Sequence, residues 1–223
     1  MQFSHVRAAF FATAGLAMVQ AASALTLPTN ALVASSTQQF SIEAQDAFTL
    51  QGITVVGLGN TTQPAGTTYA FSFPITTITI GSGLSIEKGD ARGSALEFSR
   101  VRNGQRLGFT LANFTINYAA KRVQADTTPF GGATIRQMNI YTYNVAKPLT
   151  FKYRFPLSIT LNETLDELIL TPEALDAFTS ALQLRRFETG AITGVSFGSL
   201  TQHIAAQFRS RPVSSTLYTP APN

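Results

Sequence analysis

Apolar and polar residues alternate with period two over much of this chain, the mark of strands with one buried face. From Leu149 to Leu161 the alternation is faultless. Leu149, Phe151, Tyr153, Phe155, Leu157, Ile159 and Leu161 fall on one side, and Thr150, Lys152, Arg154, Pro156, Ser158 and Thr160 on the other. The run predicts one long strand that bends at Pro156 and serves two sheets. Thr49–Leu58 reads as the first strong strand, ended by Gly59 and Asn60. Tyr69, Phe71, Phe73 and Ile75 alternate with small residues, and Pro74 marks an edge or a bend. Arg136–Val145 reads as a strand with mixed faces. Leu25–Ser36 reads as a mobile lead-in, and Gly81–Gly93 as a loop rich in glycine and charge.

The sharpest local signal is a hairpin. Asn103-Gly104 suits a two-residue type I′ turn, in which both central residues need positive φ. Such a turn pairs Arg102 with Gln105, and the register then sets Phe98 opposite Phe109 and Leu96 opposite Leu111. Beyond Leu111 the apolar phase slips to Phe114, Ile116 and Tyr118, so Ala112-Asn113 is a predicted bulge or a break into a new strand.

Two stretches have helical spacing instead. Thr171 caps, Pro172 takes the first helical position and Glu173 meets the positive end, while Leu175, Phe178 and Leu182 share a face. Leu200, Ile204 and Phe208 are spaced by four ahead of Pro212, which predicts a second helix over 200–209.

The chain opens as a secretory leader does. Arg7 precedes the apolar run Ala8–Val19, and Ala22-Ser23-Ala24 fits a small-x-small cleavage site. The run is too short to span a bilayer. The expected organisation is a signal peptide over 1–24, an N-terminal lead-in over 25–48, one β-rich domain over 49–212 and a flexible tail over 213–223. Cleavage between Ala24 and Leu25 would place the product in the periplasm, at the cell surface or outside the cell. The chain has no cysteine, so an exported product would rely on its core and not on disulfides, and thiol chemistry is excluded. The formal charge is only +4, and the basic residues form no block of the kind that binds nucleic acid. No transmembrane span is expected in the exported part.

Candidate chemistry is sparse. Gly194-Val195-Ser196-Phe197-Gly198 matches the G-x-S-x-G elbow of serine hydrolases. No acid lies between Ser196 and His203, and none follows Glu188, so the relay is incomplete. His203 is the only histidine outside the leader, which excludes a multi-histidine metal site. Tyr141 and Tyr143 share one strand face, and a tyrosine phenolate can ligate ferric haem.

Three segments carry a family resemblance: Gly93–Phe98, then Gly108–Ile116 followed by Val123–Asp126, and finally Leu170-Thr171-Pro172-Glu173-Ala174-Leu175-Asp176-Ala177-Phe178. Together they resemble the bacterial HtaA-type domain over roughly residues 69–182. The resemblance implies an exported, mainly β surface domain, of a family in which several members bind haem. That family's Trp-Gly opening and its ligating Tyr segment are not seen here: the chain has no Trp, and Gln38–Phe48 has no Tyr. Tyr141, Tyr143 and His203 are the ligand-capable side chains nearest the resemblance, and are the candidate haem ligands.

The expected fold is a mainly β, antiparallel β-sandwich with one or two short C-terminal helices. The expected function is that of a non-catalytic envelope or extracellular protein, binding or structural, with no cofactor, no catalytic residue and an unidentified envelope or surface partner. A haem or apolar-ligand carrier is the alternative, and a hydrolase acting through Ser196 a further one.

Overall fold

The computed structural model describes residues 24–81, 86–154 and 158–221. The expected signal peptide and the expected bend at Pro156 lie outside the described residues. Of the described residues, 57% are in strands. The strands of the chain are β1 (Leu25–Pro28), β2 (Leu32–Gln39), β3 (Thr54–Gly59), β4 (Ala70–Pro74), β5 (Thr77–Ile80), β6 (Ile86–Arg102), β7 (Gln105–Asn117), β8 (Arg122–Pro129), β9 (Ile135–Arg154), β10 (Ser158–Leu170) and β11 (Ser199–Phe208). Helices α1 (Ile42–Gln51), α2 (Pro172–Ala181) and α3 (Arg186–Gly190) complete it. The strands form one antiparallel, curled sheet in the order β1-β5-β6-β7-β8-β9-β10-β11-β2-β4, with β3 paired to the second half of β6.

The predicted hairpin is present in register. Arg102 pairs with Gln105, Phe98 with Phe109 and Leu96 with Leu111. Asn103 and Gly104 both hold positive φ, at 52° and 76°. The bulge at Asn113 is there too, with φ 54° and a register shift between Ala112 and Thr115. Phe98 and Phe109 stack at 5.2 Å, and Phe178 of α2 closes on both, at 5.2 and 4.4 Å. Phe40, Phe48 and Phe197 extend the cluster from the other side. Helix α2 begins where expected. The Thr171 hydroxyl accepts from the Ala174 N–H at 3.2 Å and donates to the Asn139 carbonyl at 2.7 Å, so the cap also ties α2 to β9.

Several expectations give way. Leu200–Phe208 is a strand and not a helix: β11 pairs with β10 on one edge and β2 on the other. A spacing of four also fits every second position of a strand, and the residue between Leu200 and Ile204 on that face is the buried Gln202. The stretch expected as a lead-in contains β1 and the interior strand β2. The buried face of β2 is Ala34, Ser36 and Gln38, too polar to announce a core strand. Helix α1 occupies the start of the expected Thr49–Leu58 strand. It buries Ala44, Ala47, Phe48 and Gln51, but its largest aliphatics, Ile42 and Leu50, face solvent, which hides the period. Residues 86–93, expected as loop, belong to β6. The run from Leu149 to Leu161 is two antiparallel strands: Arg154 pairs with Ser158, Tyr153 with Ile159 and Phe151 with Leu161.

The expected flexible tail lies against the sheet as a strap. The Asn113 side chain acts as a surrogate strand for it, accepting from the Tyr218 N–H at 2.8 Å and donating to the Tyr218 carbonyl at 3.0 Å. Asn60 donates to the Ser214 carbonyl at 2.8 Å, and Asn30 to the Ser215 hydroxyl at 3.1 Å. Gly93, with φ 76°, allows the approach, because a Cβ there would sit 2.8 Å from the Thr216 carbonyl oxygen.

Candidate functional site

The interior carries a polar seam where β2, β11 and β10 run side by side. Register aligns Ser36 with Gln202 and Gln202 with Glu163. The Tyr118 hydroxyl donates to Glu163 Oε2 at 2.5 Å, and Gln202 Nε2 donates at 2.9 Å to that same Oε2 and to the Tyr118 hydroxyl oxygen. Burial raises the Glu163 carboxyl above its usual range, and the hydrogen bond from Tyr118 offsets part of that rise. Burial also pushes the Tyr118 phenol far up, and the Glu163 charge pushes it further.

Tyr141 and Tyr143 lie on the same inner face, as expected from their spacing. Tyr141 is 2% exposed and packs 5.6 Å from the Phe197 ring. Its hydroxyl makes no hydrogen bond in good geometry, although the Gln38 side chain is within polar reach. Burial raises its phenol strongly. Tyr143 is pushed up to about 12, first by burial and then by the Glu163 charge, and its hydroxyl reaches the Asn117 carbonyl at 3.5 Å. In all three tyrosines the phenolate, the form that ligates ferric iron, is disfavoured.

His203 is not with them. Successive residues of a strand point to opposite faces, so His203 lies on the face opposite Gln202 and the tyrosines. There its Nδ1 meets Asn162 Oδ1 at 2.7 Å. Ser196 is equally occupied. Its Oγ accepts from the Gly198 N–H at 3.2 Å, and its carbonyl accepts from the Ser41 hydroxyl at 2.6 Å, which fixes the start of α1. No hydrogen bond joins Ser196 to His203 among the described residues.

Sequence reasoning missed Glu163, Gln202 and Gln38. Glu163 and Gln202 break the apolar alternation of their strands, Gln38 lies on a face that has none, and such residues read as surface when no partner is known.

The space inside is small. A cavity of about 30 Å³ lies beside Ser36, Gln38, Phe114 and Gln202. That is room for a water or two, against about 300–1,000 Å³ for a ligand pocket. Ligand-sized space lies outside, in an open cleft of about 480 Å³ bordered by Leu107, Phe130 and Ala177. The Arg106 guanidinium stands 5.0 Å from the Phe130 ring centre at its side. Among the described residues no three metal-ligating side chains gather, and no helix is long and apolar enough to cross a membrane.

No family model and no curated protein matches this chain. Among solved structures, the C-terminal domain of HtaA from Corynebacterium glutamicum is similar to it at 12% identity, over 78% of this chain and 97% of that one, with a TM-score of 0.47. The likeness is one of overall architecture and assigns neither a family nor an activity.

Proposed function

We propose that this chain is an exported, non-catalytic binding domain of the cell envelope or the extracellular space, and that it binds through its surface and not through an interior cofactor site. The reactive side chains of the interior are engaged in structural hydrogen bonds or packed among apolar groups. One observation carries the reading. The distal half of β9, an arm paired with the start of β10, exposes apolar side chains, with Val145 43%, Leu149 38% and Tyr153 57% accessible. Apolar groups left this accessible next to one another on one strand suit association.

The test is thermal. Val145→Thr and Leu149→Thr, singly and together, leave the melting temperature within about 2 °C of the parent, as exposed positions do. A clear loss of stability would show that these side chains pack as part of the fold, and the reading would fail.

A further inference from the structure

We infer that the groove between the first residues of β9 and helix α2 takes an extended peptide that carries a basic residue, and that the peptide adds to β9 as a strand. The site is separate from the arm and does not rest on it.

The geometry starts from one unfinished edge. From Ile135 to Met138, β9 pairs with β8 on one side. On the other side β10 reaches only as far as Leu170, opposite Tyr141. There the chain turns away. The Thr171 N–H donates to the Ile140 carbonyl at 2.9 Å, the Thr171 hydroxyl donates to the Asn139 carbonyl at 2.7 Å, and α2 begins. Among the described residues no strand continues the line of β10 along Ile135–Met138. The bulge at Gln137 leaves that edge free, because its N–H and its Nε2 both turn to Asp126 of β8. The open stretch is about 13 Å long at about 3.3 Å per residue, room for a strand of about four residues.

Space lies against this edge. A cleft of about 560 Å³ has Gln137, Met138 and Asn139 on one wall and Asp176, Ala177 and Ser180 of α2 on the other. Consecutive residues of a strand alternate between its faces, so a cleft that meets all three meets the strand at its edge. Ile135, Ala177 and Ser180 also border the cleft of about 480 Å³ beside Leu107 and Phe130, so the two adjoin. Ile135 is 53% accessible there, an apolar contact for alternate side chains of an added strand.

Charge selects the peptide. Glu173 and Asp176 border the groove and are exposed, and neither belongs to an ion pair among the described residues. Glu173 accepts a hydrogen bond from Asn139 at 3.3 Å. The cation of the adjoining cleft, Arg106, is held by Glu97. A lysine or arginine on the peptide answers the two open acids. A second copy of the chain fits less well. Pairing two copies through this edge would bring two acidic α2 helices to it, like charge against like.

Titration of two blocked peptides into isotope-labelled protein, followed by NMR, tests this. The probes are acetyl-Lys-Val-Thr-Val-Thr-amide and its reverse, acetyl-Thr-Val-Thr-Val-Lys-amide, since a strand can add in either direction. At least one should move the backbone amides of Ile135–Asn139 and Ala177–Ser180. Glu in place of its Lys should weaken binding about fivefold or more. Pro in place of both Val or of both Thr should abolish binding in one case, the set whose N–H groups face β9. Asp176→Lys should reverse the preference between the Lys and Glu peptides. Asp176→Asn should narrow it, which covers a failure of the reversal variant to fold.

Neither peptide moving those amides, equal binding of the Lys and Glu peptides, or both Pro peptides binding like their parent would overturn the inference. So would shifts at Ile135–Met138 that follow protein concentration without peptide, because a second copy would then be the occupant. None of these outcomes touches the reading of the arm, since no variant lies on it.

Discussion

The two halves of β9 make an internal comparison within one strand. In the first half Ile140, Tyr141 and Tyr143 are 0–4% exposed, under α2 and against the aromatic cluster. In the second half Val145, Leu149 and Tyr153 are 38–57% exposed. Apolar content does not separate the halves, since both are rich in aliphatic and aromatic residues. What separates them is covering. Around Tyr141 the first half has β8 on one edge, β10 on the other and a helix above, whereas among the described residues the second pairs with β10 alone. Apolar sequence thus builds a core where neighbours close over it and an exposed apolar face where they do not.

The largest contrast should come from matched truncations. Phe178→Ala or Phe98→Ala opens a hole in the ring cluster and should cost about 3–5 kcal/mol in chemical denaturation. Leu149→Ala should change the same measurement by no more than about 0.5 kcal/mol. Similar costs at the two sites would erase the distinction.

Asn113→Ala sharpens the closed half. The side chain joins Gly93, Asp126 and Tyr218 across the β7 bulge. Its loss leaves the buried Asp126 without one of its donors and releases the strap at Tyr218. The expected cost is about 1–3 kcal/mol, together with faster proteolytic trimming of residues 213–221. A variant trimmed no faster than the parent would show that the strap is held elsewhere.

Much of the closed half was legible in the sequence. Asn103-Gly104 fixed a register, the register paired Phe98 with Phe109, and the slip after Leu111 located the Asn113 bulge. Thr171-Pro172-Glu173 marked the start of α2. Each is local chemistry that acts within a few residues. The polar seam was not legible, because the burial of Ser36, Gln38, Glu163 and Gln202 depends on partners far apart in sequence, such as Ser36 and Gln202, which are paired across β2 and β11. The arm was half legible. Its alternation was plain, but a period of two does not say whether the apolar face will be covered. Nor does it distinguish one strand of 13 residues from two strands folded back on each other.

A smaller effect should appear in the seam. The Glu163 carboxyl has its pKa raised by folding, so the protonated form is the one the fold prefers. The parent therefore loses stability as pH rises from the ordinary carboxylate range through the raised value. Glu163→Gln, which cannot ionise, should gain on the parent over that window and match it more nearly in acid. Denaturation series at several pH values would show the two curves separating upward in pH. Parallel curves would mean that Glu163 is as well solvated folded as unfolded.

The smallest expected effect is none. Haem titrated into the protein should give no new Soret band, because Tyr141 and Tyr143 are packed away and His203 lies on the opposite face. A stoichiometric band that Tyr141→Phe or Tyr143→Phe removes would show that the interior opens, and the carrier reading would replace the surface one.

Native-state hydrogen exchange along β9 tests the central claim most directly, because it reads both halves in one sample. Peptides covering Ile140–Tyr143 should exchange only through large-scale opening, and those covering Lys147–Tyr153 orders of magnitude faster. Uniform protection from Ile135 to Arg154 would contradict the account: the arm would then be a covered part of the core, and not a surface held out for binding.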